Sequence, residues 1–279
     1  MHTARRASTR PLTGVLAALS LSMLLSSLGT SIANVGLPSM AHAFHASFQG
    51  VQWIVLAYLL AITTLVVGAG RLGDVFGRRR LLLWGIALFT VASMLCGAAG
   101  TLAQLIAARA VQGVGAAIMM ALTHALISEA VPSTRTGRAM GLLGTMSASG
   151  TALGPSLGGV LAAWAGWRAI FLVSVPLGVV AFGLAARYLP GDGPRTAVGR
   201  GRLGMGGGFV EMRQLLREPG LAAGLTMTLL VAMVIMATLV VGPFHLARGL
   251  GLGAAQVGFV MSVGPLVAAM MGVPAGRLT

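Results

Sequence analysis

Gly70-Arg-Leu-Gly-Asp74-Val-Phe-Gly77-Arg78-Arg79-Arg80 is the stretch on which the reading of the whole chain turns. Its glycines predict a tight connection at a place where side chains would crowd. Asp74 and Arg78 stand close enough to pair, and an arginine cluster anchors a connection at lipid headgroups. On either side lie apolar runs, Val51–Gly70 and Leu81–Ala99, each near the ~20 residues with which a helix crosses a bilayer. A basic glycine-rich turn between two such runs belongs at a membrane surface.

Six further runs of this kind lie outward from it: Leu12–Ala33, Leu102–Ile127, Ala139–Ala163, Ala169–Leu189, Leu221–Gly242 and Ala254–Ala275. None alternates apolar with polar residues, so a transmembrane barrel is not expected. The first follows Arg5, Arg6 and Arg10, as a signal peptide would. With seven more spans behind it, it reads as a retained helix. The expected fold is an all-α membrane bundle of about eight transmembrane helices.

Composition agrees. Of 279 residues 56% are hydrophobic and 9% charged, against about 25% charged in ordinary soluble domains. The net charge of +14 comes entirely from arginine. A nucleic-acid binder would carry such a charge, but could not hide so much apolar surface in water. Cys96 stands alone, which excludes a disulfide framework and a cysteine-based zinc site. With no metal-ligand cluster, phosphate loop or nucleophile–base pair, neither an enzyme nor a bound cofactor is expected. Met119, Met120, Met270 and Met271 read as packing.

The arginines set the expected orientation. All except Arg109, Arg168 and Arg248 fall at the N-terminus, in alternate connections, or after the last span. That asymmetry predicts a multi-pass protein of the inner (plasma) membrane with both termini in the cytoplasm.

The one long connection divides the chain. Residues 1–189 form an expected six-helix half, 190–220 a cytoplasmic linker in which Phe209–Arg217 is a candidate interfacial helix, and 221–279 two further spans. Gly276-Arg277-Leu278-Thr279 echoes Gly70-Arg71-Leu72-Gly73-Asp74 at an equivalent place after a span, and Val257 and Phe259 echo Val51 and Trp53. The repeat predicts a second half that begins like the first and stops after two helices. The missing remainder would be needed for function.

Three more motifs lie within spans. Arg109-Ala-Val-Gln112-Gly113-Val-Gly115 puts a cation inside the fourth, where it is costly and usually faces the bundle interior. Gly150, Gly154 and Gly158 recur every four residues in the fifth and form a flat stripe for close helix packing, while Pro155 removes a backbone hydrogen bond beside Gly159. Leu28-Gly-Thr-Ser31-Ile-Ala-Asn34-Val-Gly-Leu37-Pro38 occupies the first. Trp167-Arg168-Ala-Ile-Phe171, with Pro176, opens the sixth.

Together these motifs resemble the major facilitator superfamily, and within it the drug/proton antiporter branch, over nearly the whole chain. The resemblance implies a conformational gate at Gly70, Asp74, Gly77 and Arg78. It implies proton coupling at Arg109 and Gln112, and an antiporter helix motif at Gly150, Gly154, Pro155, Gly158 and Gly159. His124 is a further proton-coupling candidate. Asn34, Gln52, Trp53 and Tyr58 are candidates for a substrate cavity, since aromatic and polar groups in an apolar cavity suit lipophilic molecules. In one respect the sequence departs from the branch: Gly29 stands where many members carry an acidic residue.

The expected function is transport of small molecules by alternating access, as proton-coupled export of amphipathic drugs or toxic compounds. The expected partners are the lipid bilayer, a small-molecule substrate and protons, with no nucleic acid. A metabolite facilitator without proton coupling and a non-transporting membrane fragment stand as the alternatives.

Overall fold

A computed structural model describes residues 12–191 and 219–275. The arginines before residue 12, the linker with its candidate interfacial helix, and Gly276-Arg277-Leu278-Thr279 lie outside the described residues. Each expected span is a rod, longer at most ends than its apolar run: α1 (Leu12–Ala43), α2 (Phe48–Phe76), α3 (Arg78–Ala98), α4 (Leu102–Ala130) and α5 (Ser133–Ala165). The sixth rod is broken into α6 (Trp167–Leu172) and α7 (Ser174–Tyr188), and α8 (Pro219–Phe244) and α9 (Ala254–Ala275) complete the set. No strand occurs among the described residues.

Local chemistry explains the boundaries. Ser47 accepts the amide of Gly50 at the start of α2. Thr101 and Gln104 form a reciprocal capping box on α4. Gly77, at φ +96°, supplies the left-handed turn between α2 and α3. Pro176 has no amide to offer the carbonyl of Leu172, which accounts for the break at Val173. Pro243 likewise precedes a wide helical turn over His245–Gly249.

The rods run alternately up and down, so the basic connections collect at one end. There Arg78 reaches the carbonyl of Ala125, and Arg79 that of Ala186. At the opposite end Arg168 donates to the carbonyl of Ala99, and Phe48 meets Phe244 edge-on at 4.5 Å. One apolar core lies toward the arginine-rich end around Leu19, Leu82, Phe89 and Leu122. A second lies toward the other end around Leu37, Ile54, Leu105 and Phe171. A third, of Val35, Leu239, Val257 and Met261, joins α1 to α8 and α9. Trp84, Val67 and Val179 point outward, as a lipid-facing surface requires.

Candidate functional site

Helix α4 is drawn unusually close to its neighbours. A Cβ on Gly113 would lie 2.6 Å from the carbonyl oxygen of Tyr58, and one on Gly115 would lie 2.7 Å from the amide of Phe89. These two approaches bring Arg109, one turn away, within reach of α1 and α2. Its Nε donates to the carbonyl of Ile54 at 3.1 Å and its Nη2 to the carbonyl of Gly29 at 3.1 Å. Nη1 donates to Gln112 Oε1 at 2.5 Å, and Gln112 Nε2 in turn donates to Ser93 Oγ on α3 at 2.6 Å. The side chain is wholly buried.

No carboxylate takes part. The described acidic residues are Asp74 and Glu129, and both are held by Arg78 at the arginine-rich end. Arg109 is instead solvated by backbone carbonyls, an amide and the faces of Tyr58, 4.0 Å away, and Phe171, 5.8 Å away. The Tyr58 hydroxyl donates to the carbonyl of Ser26 at 2.8 Å. The absence of a side chain at Gly29 is part of this design: a Cβ there would fall 2.7 Å from Tyr58 Oη and 3.2 Å from Phe89 Cζ.

The other predicted residues are distributed around this centre. Asn34 is buried, its Nδ2 donating to the carbonyl of Thr30 at 3.5 Å and its Oδ1 without a hydrogen-bond partner. Gln52 is half-buried two residues before Ile54, and Trp53 between them is exposed. His124 is exposed, with Nδ1 2.9 Å from the carbonyl of Met120, and stands apart from Arg109 on α4.

At the arginine-rich end, Asp74 Oδ1 accepts both Nε and Nη2 of Arg78, at 3.0 and 2.8 Å. Arg78 Nη1 pairs with Glu129 Oε1 at 2.7 Å, so the cluster ties α2, α3 and α4 together. Residues 70–76 continue α2 rather than form the expected turn, which Gly77 alone makes. Gly73 makes a close approach within the helix, where a Cβ would run into Leu122, and Gly70 has open space around it.

Helix α5 uses two faces. Gly150, Gly154 and Gly158 seat it on α1: a Cβ on Gly150 would lie 2.7 Å from the carbonyl oxygen of Leu24, and one on Gly158 2.6 Å from that of Ile32. Ser31 Oγ donates to the carbonyl of Gly150 at 3.3 Å and Ser27 bonds Ser147 at 2.9 Å across the same seam. Pro155 and Gly159 face α9, where a Cβ on Gly159 would lie 2.9 Å from Cα of Gly258.

Sequence reasoning did not single out Glu129, Ser93, Gly73 or Gly258 as site residues. Ala254, Gly258 and Ser262 repeat every four residues, the signal that would have found the α9 side of the seam. Ser93 carries no local signal.

Comparison with known proteins follows the same lines. The family model described as Major Facilitator Superfamily matches residues 19–279. "Multidrug resistance protein Stp" of Mycobacterium tuberculosis (strain CDC 1551 / Oshkosh) is 40% identical over 159 residues, 57% of this chain and 30% of that protein. "Riboflavin transporter RibZ" of Clostridioides difficile (strain 630) is 36% identical over 176 residues, 63% of this chain and 39% of that protein. The matches thus span only about a third of these relatives' lengths. Among solved structures, an inward-facing, unoccupied bacterial homolog of the human lysosomal transporter Spinster superposes with a TM-score of 0.71 at 19% identity, covering 95% of this chain and 60% of that one.

Proposed function

The chain belongs to the Major Facilitator Superfamily, and from that premise we propose that it serves the proton-coupled export of amphipathic small molecules by alternating access. The observation that carries the export reading is the Gly150–Gly154–Gly158 stripe, continuous with Pro155 and Gly159. It seats α5 against α1 on one face and α9 on the other. Similarity to a protein named for multidrug resistance supports it. In this reading residues 1–189 are one half, 221–279 open the other, and the arginine-rich end faces the cytoplasm of the inner membrane. Asp74, Arg78 and Glu129 form the cytoplasmic gate, because they hold three helix ends together by charge and can release them without unpacking a core.

Within the spans Arg109 is the charge through which coupling acts. Its ties to α1, α2 and Gln112 make its position depend on how those helices sit. Asn34 and the half-buried Gln52 remain the polar candidates for contact with substrate, with Tyr58 beneath Arg109.

In everted vesicles from cells producing the natural protein, a transported drug should discharge a preformed proton gradient. Proton gradients indifferent to every substrate that the vesicles accumulate would overturn the antiport reading. They would favour the second one, a facilitator for a metabolite. That alternative draws on Gly29, which leaves the first helix without a carboxylate, and on the likeness to a protein named a riboflavin transporter.

A further inference from the structure

At the arginine-poor end a cavity of about 400 Å³ lies between α1, the turn after α8 and the start of α9. That volume falls within the ~300–1,000 Å³ range of small-molecule sites. Val35, Pro38, Leu252 and Val257 give it apolar walls, while Ser39 and His42 supply its polar side chains. It belongs to neither six-helix packing nor the Arg109 centre: it exists only because α9 and the turn come to rest on α1.

The described basic side chains at this end are histidines and arginines. His45 stands beside His42 with ring centres 6.3 Å apart, and the turn that supplies Ala247 also carries His245 and Arg248, the latter over Phe244 at 5.6 Å. Arg168 lies at the same end, bound to the carbonyl of Ala99 and stacked on Trp167. The described carboxylates, Asp74 and Glu129, are both at the far end of the bundle. Ala254, the first residue of α9, lines the cavity, so the positive end of a 22-residue helix adds to the same field. The Gly253 amide there is already taken by Gln256 Oε1 at 3.0 Å.

We propose that this cavity binds a small amphipathic anion, its apolar body against Val35, Pro38, Leu252 and Val257 and its anionic group at His42 and Ser39. An apolar pocket whose one basic lining side chain is His42, at an end of the bundle where the described charged residues are arginines and no described carboxylate lies, favours an anionic guest over a cationic one.

The test is binding, using the chain in nanodiscs of zwitterionic lipid and a matched pair of probes, dansylglycine and its uncharged amide. At pH 5.5 the carboxylate should bind about tenfold more tightly than the amide, the preference of one charge-assisted hydrogen bond. His42→Gln should erase most of that preference. Val257→Trp, which fills the cavity, should remove both probes. Equal binding of the pair, a preference that survives His42→Gln, or undiminished binding to Val257→Trp would each overturn the site. Repeating the titration with anionic lipid separates two sources of the anion. Loss of probe there identifies a lipid headgroup as the natural occupant, and retained binding identifies a soluble molecule; both keep the site. Binding here does not depend on transport, so a failure of the export reading leaves this result interpretable.

Discussion

The guanidinium of Arg109 lies 4.0 Å from the ring centre of Tyr58, whose hydroxyl ties α2 to the carbonyl of Ser26 on α1. Tyr58 thus acts twice, offering its face to a cation and its edge to a neighbouring helix. A buried cation is usually paired with an anion, because leaving it uncompensated costs several kcal/mol. Here dipoles and ring faces share that task. The arrangement follows from Gly29, which leaves room for the Tyr58 hydroxyl and exposes its own carbonyl to Arg109.

The two roles of Tyr58 separate under substitution. Tyr58→Phe keeps the face and loses one hydrogen bond, and should lower stability by about 1 kcal/mol. Tyr58→Ala removes the face as well and leaves a cavity under the cation, and should cost about 3–5 kcal/mol. Thermal unfolding of the purified chain in detergent, followed by helical circular dichroism, measures both. Equal losses would show that the contact between cation and ring contributes nothing.

Gly29 offers a sharper prediction. An added Cβ meets Tyr58 Oη at 2.7 Å and Phe89 Cζ at 3.2 Å, so Gly29→Ala should destabilise by about 1–3 kcal/mol through overpacking. Gly29→Asp should cost more in the native background but less beside Tyr58→Ser, which clears the space and lets a carboxylate face Arg109. The two changes should therefore be strongly non-additive. A double-mutant cycle in which the losses simply add would sink this account of the carboxylate-free centre.

How much of this was legible in the sequence differs from residue to residue. The spans were visible because hydropathy and length leave a helix few alternatives in lipid. Helices α1 to α5 nonetheless extend past their apolar runs at one end or both; the cap at Ser47 sets the early start of α2, and the turn at Gly77 sets where α2 stops and α3 begins. Arg109 announced itself as a lone cation in an apolar run. Its partners did not: Ile54 and Gly29 contribute backbone carbonyls, which every residue has, and Ser93 looks like any serine in a membrane helix. The four-residue glycine spacing predicted a tight seam, but not that α5 would use adjacent faces for α1 and α9. That choice depends on where α9 arrives, a long-range fact.

The seam makes its own prediction. A Cβ on Gly154 would land on the Ser31 side chain. Gly154→Ala should therefore weaken the α1–α5 packing by about 1–3 kcal/mol. Ser31→Gly should restore part of that loss, although it forfeits the bond to the Gly150 carbonyl. Thermal unfolding of the single and double variants decides it. A Gly154→Ala chain as stable as the parent would show that the seam yields at no cost.

The Arg78 cluster separates a gate from a mere staple. Asp74 and Glu129 are 54% and 56% exposed, so water and salt screen both ion pairs. Exposed pairs contribute about 0–1 kcal/mol, and Asp74→Asn or Glu129→Gln should change the thermal stability of the chain by no more than that. Arg78 also donates to the carbonyl of Ala125, a bond that either substitution leaves in place. Transport should respond more strongly, because a gate acts by the balance between two conformations rather than by total stability. A coupling of 1–3 kcal/mol corresponds to a change of roughly 5- to 150-fold in that balance. Drug efflux from cells producing the natural protein should accordingly fall by about tenfold in Asp74→Asn, with expression unchanged. Undiminished efflux would end the gate reading, and a stability loss of several kcal/mol would make the cluster a structural staple instead.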